Sequence, residues 1–239
     1  MEWLYTKMFV CDHCGRCCTD KVSQIALTVG DLVRISEHLN ISISSLFEEY
    51  VSFNPFRGED SSVYDYEIGL NIPCKFRQKD KCIIYKSRDL NSRLFPFWLI
   101  NAPDEFIDDD FGCLKQLKEL KHKEVYIEYK EKIAKILLNE SDFTDKIINQ
   151  IGARKQIDLK DNEEYNSLVD EFKDNLHELE EKKVELAIRL RDDQFFNKFP
   201  LLIEKEILNN KELLENIKEN TVKLNETEKL IQDGNIERD

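Results

Sequence analysis

The chain of 239 residues is poor in glycine and proline and contains no long apolar run. Its 7 glycines include no closely spaced pair, so we expect no nucleotide held by a phosphate-binding loop or a dinucleotide fingerprint. No charge-free apolar run approaches the roughly 20 residues that cross a bilayer. The N-terminal residues lack the basic start and apolar middle of a signal peptide. These absences predict a cytoplasmic protein without a membrane-spanning helix.

Basic residues are fewer than acidic ones, since the chain has 35 Lys and Arg and 48 Asp and Glu, which give a formal charge of −13. An acidic chain of this kind repels nucleic acid and anionic membranes, so we expect neither as a partner. Hydrophobic residues make up 41% of the chain, which is enough for a real core, and charged residues make up 35%, which favours long solvated helices.

The composition changes near residue 113. All 7 cysteines and four of the 5 prolines lie at or before this point, and the remainder is nearly all helix-forming residues. We predict a cysteine-cluster metal-binding domain over residues 1–113 and a helical extension over residues 114–239. The predicted fold class is α+β, predominantly α, with a short β-hairpin in the first domain. Because the apolar segments of that domain are brief, we expect its stability to depend on a bound metal.

The extension carries two heptad patterns, near residues 160–192 and 200–233, which predict a pair of seamed helices. Of the eight positions in the first seam, seven are apolar and only Lys183 is charged. The eight residues are Tyr165, Val169, Phe172, Leu176, Leu179, Lys183, Leu186 and Leu190. Two such helices joined by a short break predict an antiparallel helical hairpin or coiled coil. This hairpin either packs on itself and on the domain, or forms an arm that binds a partner or a second copy of the chain.

Local signals in the chain predict several element boundaries. Thr28 followed by Asp31 predicts a capping box at the start of a helix that ends near residue 39. Residues 53–62 read as a loop, residues 63–72 as extended chain, and residues 74–82 as a small hairpin. In the extension, Ser141 is expected to cap a short helix, and Pro200 to lie in the first turn of the last helix.

The cysteines carry the strongest functional signal, since four of the 7 fall within eight residues in the run CDHCGRCC. Two-residue gaps let successive thiolates converge on one point, and in a reducing compartment such clustering favours metal ligation over disulfides. Distant cysteines can complete the shell, because closing a longer loop adds little entropic cost. The predicted metal ligands are Cys11, Cys14, Cys17, Cys18, Cys74, Cys82 and Cys113.

The spacing favours iron or an iron–sulfur cluster slightly over zinc. Structural zinc sites commonly use two C-x-x-C pairs, and only the front half of this set has that spacing. Three cysteines with two-residue gaps and a remote fourth are closer to the arrangement of cluster-binding proteins. The segment from Cys74 to Arg93 contains seven basic residues and only two acidic ones, Asp80 and Asp89. This local surplus either offsets the charge of the thiolates or is a solvated basic hairpin.

The segments FVCDHCGRCC, LTVGDLVRI, PCKF and KCIIYKSRDLNSRLFPF resemble the CxxCxxCC cysteine-cluster family of YkgJ-like proteins. The resemblance covers about residues 9–113 and implies a zinc- or iron-chelating domain, in some relatives labelled an iron–sulfur protein. It implies that the first six of these cysteines belong to the metal centre and that Cys113 matches a late cysteine of the family. Two positions depart from the pattern, because Asp89 stands where the family usually has proline and Ser92 where it usually has cysteine. The loss of a thiol leaves the number of ions open and permits an open coordination position.

Together these features predict a metal-binding cytoplasmic protein whose cysteines hold the ion and whose helical tail packs on a partner or on itself. One alternative is an iron–sulfur or metal-dependent enzyme, protein-modifying or redox, since some relatives in the family look like flagellin lysine methylases. Another alternative is a metal storage or delivery protein. No catalytic arrangement is recognisable from spacing alone, so whether the chain is an enzyme stays open.

Overall fold

Helices predominate in the computed structural model, and the strands are short, as expected for an α+β fold that is mainly α. None of the helices in the described residues is both long enough and apolar enough to cross a membrane. The structure describes residues 15, 18–19, 25–57, 62–79, 81–103, 112–120, 123–151, 157–190 and 193–233.

Helices and strands of the described residues are numbered in chain order. The helices are α1 (Val29–Leu39), α2 (Ile43–Glu49), α3 (Leu90–Leu94), α4 (Gly112–Glu119), α5 (Lys123–Gln150), α6 (Glu163–Glu171), α7 (Leu176–Leu190), α8 (Asp193–Asn209) and α9 (Lys211–Asp233). The strands are β1 (Ile25–Ala26), β2 (Val51–Arg57), β3 (Val63–Leu70), β4 (Arg77–Gln78), β5 (Lys81–Cys82) and β6 (Ile157–Asp158).

The predicted capping box of α1 is confirmed. The Thr28 side chain accepts a hydrogen bond from the Asp31 backbone N–H, and the Asp31 carboxylate accepts one from the Thr28 backbone N–H. These bonds satisfy donors that the first turn of a helix leaves without partners. At the other end Asn40 adopts the left-handed conformation, with φ of 55°, and ends the helix.

A four-stranded antiparallel sheet packs behind α1 and α2, with β3 between β1 and β2 and β6 paired to the far end of β3. Residues 63–70 are extended, as predicted, but the prediction of a loop over residues 53–62 is wrong for residues 53–57, which belong to β2. Pro55 lies within β2, opposite Tyr66. Proline is tolerated there because β2 is an edge strand and needs ladder bonds on one side only.

The small hairpin predicted between Cys74 and Cys82 is present as β4 and β5. Arg77 pairs with Cys82 and Gln78 with Lys81, and Lys79 in the turn has a positive φ of 54°. Phe76, which is fully buried, stacks on Tyr50 with ring centroids 4.5 Å apart. The hairpin is therefore anchored to the body of the protein by an aromatic side chain.

Three helix boundaries in the extension differ from the predictions. Ser141 does not start a helix, because α5 runs unbroken from residue 123 to 150 and contains no glycine or proline. The first seamed segment is two helices, since Asn175 accepts a hydrogen bond from the Glu178 N–H and starts α7 afresh. Pro200 lies inside α8 and not in its first turn, because α8 already begins at Asp193.

Both parts of the chain contribute to the two largest apolar clusters. The main core gathers side chains from α1, α2, the sheet and the hairpin with others from α5, α8 and α9, among them Leu32, Leu46, Ile68, Phe76, Ile147, Ile203 and Ile217. The second core joins Leu90 and Phe97 to Tyr126, Tyr129 and Leu224. The boundary at residue 113 stays a prediction, but the packing is continuous across it.

The second seam faces these cores through Ile203, Ile217 and Leu224. In the first seam, Tyr165 and Leu186 lie in a separate cluster, and Leu176 and Leu190 are exposed. Within the described residues α8 packs mainly against α2, α9 against α5, and α7 against β2 and α6. Pairing of the two seams into an antiparallel hairpin is therefore not their main packing. The extension buries its apolar faces partly against its own helices α5 and α6 and partly against α2 and β2 of the cysteine-rich part.

Candidate metal centre

Cys18, Cys74 and Cys82 lie close together although they are far apart in sequence. The Cys74 backbone N–H donates to the Cys18 carbonyl oxygen at 2.8 Å, and the Cys18 N–H donates to the Gly15 carbonyl at 2.9 Å. The Cys18 and Cys74 side chains share a hydrogen bond, and Cys82 is near enough to influence the Cys74 thiol electrostatically. The remote hairpin thus closes on the end of the cysteine-rich loop.

Of the other four candidate ligands, the structure describes only Cys113. Cys11, Cys14 and Cys17 lie outside the described residues. Cys113 is buried at the start of α4 in a small cluster with Leu114, against which Phe95 and Leu99 pack. Among the described residues, no group of three or more His, Cys, Asp or Glu side chains is by itself arranged to hold a metal ion. The ligand role of all seven cysteines stays a prediction.

The fold explains why Cys74 and Cys82 come together. The Cys74 carbonyl accepts a hydrogen bond from the Arg77 N–H at 3.2 Å, and Arg77 pairs with Cys82 across the hairpin. The Ile83 N–H donates to the Phe76 carbonyl at 2.9 Å and continues the pairing. Backbone bonds therefore hold both cysteines near each other in a hairpin whose position is set by buried Phe76.

The local environment favours a thiolate at Cys74. The hydrogen bond from Cys18 is the main cause that lowers the pKa of the Cys74 thiol, and the Phe76 N–H lowers it further. Burial and the nearby Cys82 and Asp89 act in the opposite direction without cancelling the effect. A thiolate is the form of cysteine that binds metal.

Gly15 and Arg77 make a close contact at the loop. Gly15 has a φ of +73°, a conformation that glycine adopts readily and other residues rarely do. A Cβ atom at this position would lie 2.0 Å from Cζ of Arg77. Glycine is therefore needed both for the turn and for the approach of the guanidinium group.

The two residues that depart from the family pattern bond to each other. The Ser92 backbone N–H and hydroxyl donate to the Asp89 carboxylate at 2.7 and 2.6 Å. Asp89 is buried, and burial together with the nearby Asp31 carboxylate raises its pKa to about 6. A carboxylate supported by a hydroxyl thus lies near the thiols, where Asp89 also raises the pKa of Cys74. In the sequence, this pair can be identified from the pattern D-x-x-S, which is typical of a helix N-cap.

A buried ionic network links this region to the helical tail. Asp31 accepts hydrogen bonds from the Leu90 N–H at 3.1 Å and from Arg34 at 2.7 Å. Arg34 also donates to Glu140 of α5, which accepts a further bond from Asn220 of α9. Burial alone would lower the pKa of Arg34, but the two carboxylates raise it. Sequence analysis missed this network because its members are widely separated in the chain.

The basic residues near the cysteines serve different roles. Arg93 is buried and donates to the carbonyls of Lys86 and Arg88 and to the Glu228 carboxylate. Lys79 and Lys81 are exposed on the hairpin. The positive surplus is therefore partly structural and partly a solvated surface.

These features define a cysteine-rich domain built on a small sheet and a hairpin, with described cysteines that are thiols and not disulfides. Thiols brought together in this way are donors that suit zinc and iron. Residues 10–124 match the model of the CxxCxxCC family, described as a "Putative zinc- or iron-chelating domain", so this part of the chain is similar to that family. The resemblance found in the sequence is confirmed. No solved structure matches the chain.

Proposed function

We propose that the chain is a metal-binding protein whose centre is formed by the CxxCxxCC loop, the hairpin and Cys113 at the start of α4. The observation that supports this proposal is the contact of Cys18 with Cys74 and the proximity of Cys82. Thiolates are strong ligands for zinc and iron, and a donor set of this kind fits either metal. The proposed ligands are Cys11, Cys14, Cys17, Cys18, Cys74, Cys82 and Cys113.

We favour iron or an iron–sulfur cluster over zinc. The support is the spacing of the front cysteines, which resembles cluster-binding motifs more than a pair of zinc knuckles. When bound, iron or a cluster would supply one-electron chemistry, whereas zinc would hold the loop and the hairpin together. We place the protein in the cytoplasm, where thiols stay reduced.

The helical tail, in this proposal, packs on itself and on the metal-binding part of the same chain. Ile203 and Ile217 enter the main core, and Glu140 and Asn220 enter the ionic network. This packing leaves less apolar surface on α8 and α9 for a partner than two unpaired seams would. Partner binding and dimerisation through the tail are the alternative arrangement, and sedimentation of the purified chain distinguishes them.

Anaerobic purification with elemental analysis and visible absorbance tests the function. We expect iron in stoichiometric amount and a brown solution with thiolate-to-iron absorbance. Cys74→Ser should lose most of the metal, whereas Lys75→Ala, an exposed neighbour on the same turn, should keep it. A wild-type protein without iron or zinc, or a Cys74→Ser variant with full metal content, would contradict the proposal.

Metal storage or delivery is a second candidate, favoured by one observation. Cys74 and Cys82 are partly exposed, so a ligand from solvent or from another protein can reach the hairpin side of the centre. Rapid transfer of the metal to a weak chelator, with the fold intact, would support delivery. A metal that is released only on unfolding would support a permanent centre.

A further inference from the structure

We propose that Arg77 is a positioning residue of the metal centre, whose guanidinium group packs on Gly15 and holds the CxxCxxCC loop against the hairpin. The inference rests on the proposed function, because it concerns the same centre. Arg77 itself donates nothing to the metal, since a guanidinium group has no free lone pair for coordination and stays protonated.

The backbone of Arg77 contacts both remote cysteines. Its N–H donates to the Cys74 carbonyl at 3.2 Å, and in the hairpin it pairs directly with Cys82. A shift of Arg77 along the strand would therefore move the two cysteines with it. Its main chain is part of the frame that sets their separation.

The side chain of Arg77 reaches from this frame to the loop. Its Cζ and Nε atoms lie 2.0 and 2.1 Å from the place where a Cβ of Gly15 would be. The Gly15 carbonyl in turn accepts the Cys18 N–H, and the Cys18 carbonyl accepts the Cys74 N–H. Arg77 and Gly15 thus close a ring of contacts that passes through Cys18 and Cys74, and Arg77 also pairs with Cys82.

Arginine suits this position better than lysine. Its flat guanidinium group can lie on the peptide plane of a glycine, whereas the compact ammonium group of lysine cannot. Arg77 is half-buried in the hairpin and pairs with Cys82, so its permanent positive charge can offset the negative charge of nearby thiolates. Lys79 and Lys81 on the same hairpin are exposed, so water screens their charges.

Because Gly15 and Arg77 are in contact, we expect substitutions at these two positions to have non-additive effects on metal binding. Gly15→Ala should displace the guanidinium group and strain the backbone, because the alanine Cβ needs the space that Arg77 occupies. In an Arg77→Ala background the same change should add only the strain. The second substitution should therefore weaken metal binding less in the double variant than in the wild-type background.

Titration of the reduced, metal-free full chain with Co²⁺ tests the proposal, with the thiolate-to-cobalt absorbance as the readout. We expect Arg77→Ala to weaken Co²⁺ binding about tenfold to a hundredfold, as expected for residues that orient ligands. Arg77→Lys should recover little of this loss. Lys79→Ala is the matched control on the same hairpin and should bind as the wild type does. Far-UV circular dichroism should be unchanged for all three variants.

The results of this titration separate the two proposals. Failure of the wild-type chain to bind Co²⁺ would overturn the proposed function and with it this inference. Wild-type affinity in Arg77→Ala would overturn the positioning role alone. If Arg77→Ala does not fold, Arg77→Lys and Gly15→Ala decide the question. Wild-type affinity in both would overturn the role, and weaker binding in both with a retained fold would support it.

Discussion

Glu140 accepts two hydrogen bonds from the guanidinium group of Arg34, with Nη1–Oε1 and Nη2–Oε2 distances of 2.7 and 2.8 Å. Both side chains are buried, and the pair joins α1 of the CxxCxxCC part to α5 of the tail. Asp31 supplies a second carboxylate to the same guanidinium group. A buried charge that lacks its partner strongly destabilises the folded state. The network therefore favours the one packing of α1 against α5 in which every charge has its partner.

Glu140→Gln should lower the free energy of unfolding by about 3 kcal/mol, because it removes one partner of a buried ion pair. Urea denaturation followed by circular dichroism measures the change. Glu131→Gln is the matched control, since Glu131 is exposed on the same helix and its loss should cost less than about 0.5 kcal/mol. Equal stabilities for the two variants would contradict the assigned role of Glu140.

Gly30→Ala should also destabilise the protein, by about 1–3 kcal/mol, because the new Cβ would lie 2.0 Å from Oε2 of Glu140. On an exposed helix surface alanine would instead be favoured over glycine by about 1 kcal/mol. A lower free energy of unfolding for Gly30→Ala, measured by urea denaturation, would therefore show that Glu140 leaves no space for a Cβ at residue 30. An increase in stability would show that Glu140 moves aside at no cost.

Asp89→Asn should stabilise the metal-free protein at neutral pH. The pKa of Asp89 is raised to about 6 from the ordinary 3.8, so its favourable contribution is complete below pH 3.8 and is lost as the pH rises through 6. Asparagine copies the neutral acid and keeps the helix cap. The variant should exceed the wild type by about 2–3 kcal/mol at pH 7, a difference that shrinks towards pH 4. Urea denaturation at both pH values tests this, and a pH-independent difference would refute it.

Arg93→Lys should cost about 2–3 kcal/mol although the charge is kept. Arg93 is buried and donates to two carbonyl oxygens and to Glu228, a fork that a single ammonium group cannot reproduce. Arg189→Lys serves as the comparison, because Arg189 is largely exposed. The midpoint of thermal unfolding should fall for the first variant and stay close to the wild-type value for the second.

Removal of the metal by a chelator should leave most of the helical circular dichroism signal intact. The brief apolar segments of residues 1–113 predict a domain that depends on metal, but the main core also holds apolar side chains from the extension, so we now expect the apolar packing to persist without the metal. Hydrogen exchange should become faster at residues 18–19 and 74–83, which the metal would hold. Collapse of the helical signal on chelation would instead show that the metal is required for folding.

Local signals in the sequence predicted local structure well. The capping box at Thr28 and Asp31 and the small hairpin before Cys82 are confirmed, because neighbouring residues form them. The predictions failed where distant contacts overrule local preference. Pro55 fits in β2 only because that strand lies at the edge of the sheet, and Pro200 lies inside α8 although proline usually avoids a helix interior.

The amino-acid sequence by itself revealed the similarity to the CxxCxxCC family, because the spacing of Cys11, Cys14, Cys17 and Cys18 is a short-range property that can be read without knowledge of the fold. Tertiary structure alone decided that Arg77 lies on Gly15 and that Glu140 meets Arg34. Such pairs depend on how separate segments pack, and packing reflects the sum of many weak contacts that no single stretch of chain encodes.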